Sequence, residues 1–290
     1  MIGVLGGGFG LYCHLAALSG LGKEVSTLNS YREKLASLPE GSSVLKKTSF
    51  FETERELVNN SSIVTIARRP QDHESFVRNF LAWDETNNVR LLVVEKPIAT
   101  NPANAFFLFN SLMAKGVSVL TPFLFPYSNW AKYLDDFDSE VIKFVWSMPK
   151  RNKYTSWKYD VAQGGGLLNY YLINMVPIVA KCFQNRKVSI EVIDYADQHA
   201  SIKFYDEKIK FYVNFCLAKS HRFSVELNNK EVHNSLGPFD TEIVPGIKDP
   251  RIKEMGLFYK KEVFSEYYNS KGNMLKSLEL WNSIYNEINS

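Results

Sequence analysis

Residues 1–22 read MIGVLGGGFGLYCHLAALSGLG, and the order of residue types in this stretch decides the fold. The apolar run to Leu5 predicts a buried strand, the glycines that follow predict a tight turn, and the next apolar block predicts a helix from about Phe9 to Leu18. Gly6 and Gly8 take the first two positions of a G-x-G-x-x-G turn, in which the chain bends sharply and its amides at a helix N-terminus approach a pyrophosphate. Leu11 stands where the third glycine allows close helix-to-strand packing. EVSTLNS, from Glu24, predicts the second strand, and SSIVTIARRPQDHESF predicts a third, Ile63–Ala67, followed by a loop and a helix. Strand, glycine turn, helix, strand is the start of a doubly wound parallel sheet.

In such sheets an acid at the end of the second strand bonds the ribose 2′-hydroxyl, and a cation there accommodates a 2′-phosphate. Here that end reads LNSYREK, with Asn29, Ser30 and Arg32 and no acid, which favours NADP. NAD stays open, because Asn29 also bonds a free hydroxyl and Arg32 also reads as a solvated helix cation. Arg68 and Arg69 fall at the ligand-side end of the third strand, facing a cofactor phosphate, a substrate phosphate or solvent. Further on, VVEKPIATNPANAF runs from Val93 to Phe106. Leu91 to Val94 reads as an inner strand, so Glu95 and Lys96 sit at the edge where ligands bind, with Pro97 ending the strand behind them.

The fingerprint turn continued as GFGLYCHLAAL, the segment IARRPQDHESF, VVEKPIATNPANA and the later GGGLLNYYLINMVP together resemble the Gfo/Idh/MocA family of NAD(P)-dependent oxidoreductases over nearly the whole chain. The resemblance implies an α/β protein in two parts. Residues 1–120 would form a Rossmann domain, and 121–290 an α+β domain with an open antiparallel sheet and a C-terminal helix packing back on the first. It also implies an NADP or NAD cofactor held by Gly6, Gly8, Phe9, Gly10, Asn29, Ser30, Arg32, Ala67, Arg68, His73, Glu95 and Lys96, with Lys96 as the catalytic lysine. The implied substrate is a sugar or nucleotide-sugar, in a setting such as bacterial surface-polysaccharide synthesis. The implied assembly is a homodimer or dimer of dimers formed through the open sheet.

The second half carries long alternating runs, EVIKFVWSMP, VSIEVIDYA, ASIKFYD, KIKFYVNFCLA and RFSVELN, which predict antiparallel strands with an aromatic face in need of cover. One long helix is expected from about Gly166 to Phe183. Eight residues after the glycine triplet, where the family usually has a histidine, stands Asn174, and four residues earlier Tyr170 replaces the family's usual acid. Asparagine orients a hydroxyl but does not titrate. Three readings follow: an oxidoreductase in which Lys96 moves the proton with Tyr170 or Tyr171 assisting, a reductase of an imine or conjugated double bond, or a nucleotide-binding regulator without turnover. DPRIKEMGLFYKKEVFSEYY and NMLKSLELWNSIYNEI predict two closing helices, the first with an Asp cap.

Composition narrows the classes. The net charge is +3, with cations scattered among acids, so nucleic acid is not an expected partner. Three cysteines, Cys13, Cys182 and Cys216, lie far apart without metal-ligand spacing, which predicts free thiols in a reducing cytoplasm and no metal. With no long apolar run and no basic leader, neither export nor membrane insertion is expected.

Overall fold

The computed structural model describes residues 1–39, 41–83, 88–135, 140–149, 156–183, 186–239, 249–265 and 270–290, with side chains from 274 onward in the last segment. The chain divides into two compact units, Met1–Leu124 with Ile243–Met274 and Phe125–Glu242 with Leu275–Ser290.

The first unit is built on six strands, β1 Ile2–Leu5, β2 Val25–Leu28, β3 Thr48–Phe51, β4 Ile63–Ile66, β5 Leu91–Val94 and β6 Ser118–Leu120. They lie in the order β3-β2-β1-β4-β5-β6 and all pair in parallel. Every residue of β1, β2, β4 and β5 is buried, as expected of strands covered on both faces. The strand order reverses between β1 and β4, so the carboxyl ends of those two strands flank the crevice in which this topology binds ligands. Helices Pro70–Ala82 and Pro102–Ala114 each begin with a proline, whose missing N–H is not needed in the first turn. Asn101 caps the second by accepting the Asn104 N–H at 2.9 Å.

The first helix departs from the simple reading. It runs as a π-helix over Gly10–Leu15 and continues as an α-helix over Ala16–Gly20. Strand β3, absent from the sequence reading, is a half-exposed four-residue edge strand.

The second unit holds β7 Val141–Pro149, β8 Ser189–Ala196, β9 His199–Tyr205, β10 Lys210–Ala218, β11 Arg222–Leu227 and β12 Lys230–Ser235, in the order β12-β11-β7-β10-β9-β8. All pairs are antiparallel except β7 with β10, which are far apart in sequence and are not tied by a hairpin turn. Asp206 makes the tight turn into β10 by accepting the Lys208 and Ile209 N–H groups at 2.8 and 2.7 Å.

The expected exposed aromatic face is corrected here. Phe211, Phe215, Phe204, Phe144 and Phe223 are all buried, and the rings close on one another, Phe144 stacking on Phe211 at 5.0 Å and Trp146 standing edge-on to Phe215 at 5.2 Å. The alternate positions Lys203, Tyr205, Tyr212 and Asn214 face the other way and are half-buried. The aromatic alternation therefore marks the core side of the sheet. The single helix expected from Gly166 to Phe183 is also corrected: it is a π-helix Leu167–Tyr171, a 3-10 turn Leu172–Asn174 and an α-helix Val176–Cys182. Pro177 supplies the reason, since it lacks the N–H that would continue the preceding helix and instead sits in the first turn of a new one.

Leu275–Ser290 belongs to the second unit, where the Trp281 indole donates to Asn169 Oδ1 at 3.0 Å and Lys276 Nζ to the Phe183 carbonyl at 2.7 Å. The helix Ile252–Phe258 and the turn after it join the first unit instead. Ahead of that helix Asp249 Oδ1 accepts the Arg251 N–H at 2.9 Å, and the same carboxylate holds the Arg251 guanidinium in a two-point ion pair, at 2.9 and 2.7 Å. The end of the predicted helix, residues 266–269, lies outside the described residues. Among the described residues no helix is long and apolar enough to cross a membrane, and no cluster of His, Cys, Asp or Glu is arranged to hold a metal ion.

Candidate functional site at the carboxyl edge of the parallel sheet

The glycine turn sits against the end of β4. Gly6 has φ +145°, and a Cβ there would lie 2.2 Å from the Ala67 carbonyl oxygen, so only glycine fits. A Cβ on Gly8 would meet nothing within 4 Å. Beyond Gly8 the helix opens at Gly10 without a side-chain cap from Phe9; the Leu11 and Tyr12 N–H groups donate to the Gly8 carbonyl at 2.9 and 3.3 Å, so the amides at the turn that an anion would meet are those of Phe9 and Gly10. The part of the third fingerprint glycine is played one residue early. A Cβ on Gly10 would lie 3.3 Å from the Ala67 Cβ and 3.4 Å from Val4 Cγ1, while Leu11 points into the core. The wide π turn absorbs this one-residue offset. A dinucleotide fits this turn, because the one glycine that faces open space is the one whose backbone a pyrophosphate approaches.

Phe9, next in the chain, is half-buried. Its ring stacks edge-on with Tyr12 and His14, at 5.5 and 5.3 Å, and the Arg251 guanidinium lies 4.5 Å over it. Burial pushes the Tyr12 phenol up, opposed by the adjacent Arg251.

At the end of β5, Glu95 is buried and Lys96 half-buried. The Lys96–Pro97 peptide bond is cis. Glu95 Oε2 accepts the Lys96 N–H at 3.2 Å, and Oε1 accepts from His14 Nε2 at 2.9 Å. His14 Nδ1 lies 2.8 Å from the Tyr259 hydroxyl, which in turn lies 2.8 Å from Thr65 Oγ1 in β4. His14, Tyr259 and Thr65 have no exposed surface, and burial pushes the Tyr259 phenol well up. These four side chains tie β4, β5, the first helix and the returning segment to the lysine turn. His14 and Tyr259 have no place in the sequence reading, because nothing local predicts a partner 245 residues away.

His73, expected on the cofactor, is a buried structural group. Its Nε2 accepts the Arg68 N–H at 3.1 Å, so Nδ1 carries the proton and donates to the Pro97 carbonyl at 3.2 Å. Burial lowers its pKa to about 4 and the ring is neutral. Arg68 is likewise committed, to Glu54 at 2.5 Å. Arg69 is exposed and precedes the helix Pro70–Ala82.

The end of β2 holds a group that sequence reading missed. Asn29 Nδ2 donates to Glu52 Oε1 at 3.0 Å, and Asn29 Oδ1 accepts from Arg32 Nε at 3.0 Å. Ser30 is exposed beside them. Glu52 follows β3, and the strand's signal in the sequence is the pair Phe50–Phe51 followed by the capping box Thr53–Glu56.

In the second unit the glycine triplet permits a close backbone approach: a Cβ on Gly165 would lie 2.1 Å from the Trp157 carbonyl oxygen. Tyr170 packs edge-on to Trp157 at 5.6 Å, with Lys158 Nζ 5.0 Å from its ring centre. Tyr171 is a core residue stacked on Phe215 at 4.9 Å. Asn174 is buried and donates its amide to the Tyr170 and Tyr171 carbonyls, at 3.3 and 2.8 Å, where the helix changes pitch. Its donor side is therefore engaged by the backbone and not presented to a substrate hydroxyl.

No protein-family model matches the sequence, and no curated protein matches it. Solved structures do. The WlbA (WbpB) dehydrogenase from Thermus thermophilus, in complex with NAD and UDP-GlcNAcA, is similar over 98% of this chain and 93% of its own, with TM-score 0.71 and 15% identity. A super-repressor mutant of Gal80p from Saccharomyces cerevisiae is similar over 99% and 94%, with TM-score 0.74 and 12% identity. Biliverdin reductase from Synechocystis, in complex with biliverdin and NADP+, is similar over 99% and 98%, with TM-score 0.65 and 14% identity. Most of these structural neighbours are NAD(P) oxidoreductases of the Gfo/Idh/MocA type, and this chain has their two-domain α/β fold.

Proposed function

We propose that the protein is a nicotinamide-dinucleotide-dependent oxidoreductase that moves hydride to or from a sugar or nucleotide-sugar. The observation that carries the reading is the pairing, on one sheet edge, of an open glycine turn over an uncapped helix start with a lysine at the end of β5. Gly6, Gly8 and the Phe9 and Gly10 amides would hold the pyrophosphate, and Asn29, Glu52 and Arg32, at the ends of β2 and β3, would meet the adenosine ribose. A bound nicotinamide supplies the hydride acceptor or donor. Lys96 moves the proton at the reacting oxygen, and Glu95, held by His14, fixes the turn that presents it. The similarity to a dehydrogenase bound to NAD and UDP-GlcNAcA supports a nucleotide-sugar as substrate, and a role in surface-polysaccharide synthesis accords with that class. The open face of the second sheet is our candidate for self-association, through Tyr205, Tyr212 and their charged neighbours.

A second reading has its own support. Asn174 is engaged by the backbone, Tyr171 is buried in the core, and a repressor shares the fold, as expected of a dinucleotide-binding regulator without turnover. Titration of the protein with reduced cofactor, followed by nicotinamide fluorescence, and then assay on a panel of UDP-sugars separates the two. Saturable binding followed by turnover supports the oxidoreductase, binding alone supports the regulator, and no binding overturns both.

A further inference from the structure

In this class of sheet the residue that reads the adenosine ribose conventionally closes the second strand. Here β2 ends without an acid. The register sets Leu28 beside Phe51, so the residues that follow, Asn29 and Glu52, leave the sheet edge as neighbours. Their side chains are joined by the 3.0 Å bond from Asn29 Nδ2 to Glu52 Oε1. Glu52 is fixed from behind as well, its N–H donating to Glu56 Oε2 at 3.1 Å within the capping arrangement of the helix Glu54–Asn59. Two cations of this edge, Arg32 and Arg68, have partners of their own, while Arg69 is exposed. Arg32 gives Nε to Asn29 at 3.0 Å and lays its guanidinium over the Phe50 ring at 3.9 Å, and Arg68 pairs with Glu54.

We propose that Glu52, supplied by the third strand, selects the cofactor, and that the protein prefers NAD(H) to NADP(H). The proposal rests on the reading that a dinucleotide binds at the glycine turn. A carboxylate accepts hydrogen bonds from ribose hydroxyls, whereas a 2′-phosphate brought to the same place sets two negative groups against each other. Asn29 serves as the bracket that holds the carboxylate toward β2. Arg32, which sequence reading assigns to a 2′-phosphate, becomes part of that bracket.

The test is the ratio of dissociation constants for NADPH and NADH, measured by nicotinamide fluorescence on the full chain for the native protein, Glu52→Gln and Arg32→Ala. Glu52 and Arg32 are exposed, so both variants are expected to fold, which their thermal midpoints verify. The expected result is a native ratio of at least about tenfold in favour of NADH, the preference of a charged site against a like charge. Glu52→Gln should shrink that ratio by roughly tenfold, chiefly by tightening NADPH, and Arg32→Ala should leave NADH favoured. Native protein that binds NADPH as tightly as NADH, or a Glu52→Gln change that moves both constants by the same factor, overturns the proposal while the dinucleotide reading stands. Binding of neither cofactor overturns the dinucleotide reading and the proposal with it.

Discussion

At the scale of single residues, the structure reassigns side chains by what they touch. His73 opens a helix in the position expected of a cofactor ligand, yet both ring nitrogens are bonded to backbone and burial holds its pKa near 4. In the unfolded chain the same ring takes a proton at the ordinary pKa of about 6.5. Between those values the unfolded state binds more protons, so stability rises with pH through that window and is lost as pH falls through it. The loss is about 3 kcal/mol once pH reaches 4. Urea midpoints measured from pH 7 to 4 should drop steeply in the native protein and less so in His73→Asn; equal slopes would show that His73 does not govern the acid limb. Tyr259 gives a second prediction. Removing its hydroxyl in Tyr259→Phe leaves His14 Nδ1 and Thr65 Oγ1 without that partner in a fully buried place. The expected cost is roughly 1–3 kcal/mol in chemical denaturation. A loss under about 0.5 kcal/mol would mean that the network is not load-sharing, that being the range of a surface change.

At the scale of elements, the turn from β1 to the first helix offers a paired test. Gly6→Ala forces a Cβ against the Ala67 carbonyl at a positive φ, and should destabilise the fold by roughly 1–3 kcal/mol or more. Gly8→Ala puts its Cβ into open space, and should leave the thermal midpoint nearly unchanged while weakening cofactor binding by about tenfold or more. Calorimetric midpoints and fluorescence titration of both variants check this; a Gly8→Ala protein with native affinity would remove the pyrophosphate from this turn. The same elements show what the sequence could reveal. β1, β4 and β5 are buried apolar runs beside turn residues, and their chemistry is local, so they read directly. β3 escaped because four half-exposed residues carry no period, and with it went Glu52. The helix after Gly166 was misread because its apolar pattern continues through Pro177 while its hydrogen bonding does not.

At the scale of the whole molecule, topology gathers residues from distant parts of the sequence. Glycines 6 and 8, Glu52, Glu95 and Lys96 come from the ends of β1, β3 and β5, and the returning segment adds Tyr259 to the first unit. The apolar run of β5 and Pro97 behind it made the strand-end position of Lys96 legible, whereas partners such as His14 with Tyr259 arise only from packing. The central claim is that this edge performs hydride transfer with Lys96 moving the proton. The most direct measurement is the change in near-ultraviolet absorbance of the nicotinamide when cofactor and UDP-sugars are mixed with native protein and with Lys96→Met. The account predicts turnover by the native protein on at least one nucleotide-sugar, and a fall of roughly 10²–10⁴ in Lys96→Met with cofactor affinity nearly intact. Full turnover in Lys96→Met, or native protein that binds cofactor yet turns over none of the sugars, would contradict it.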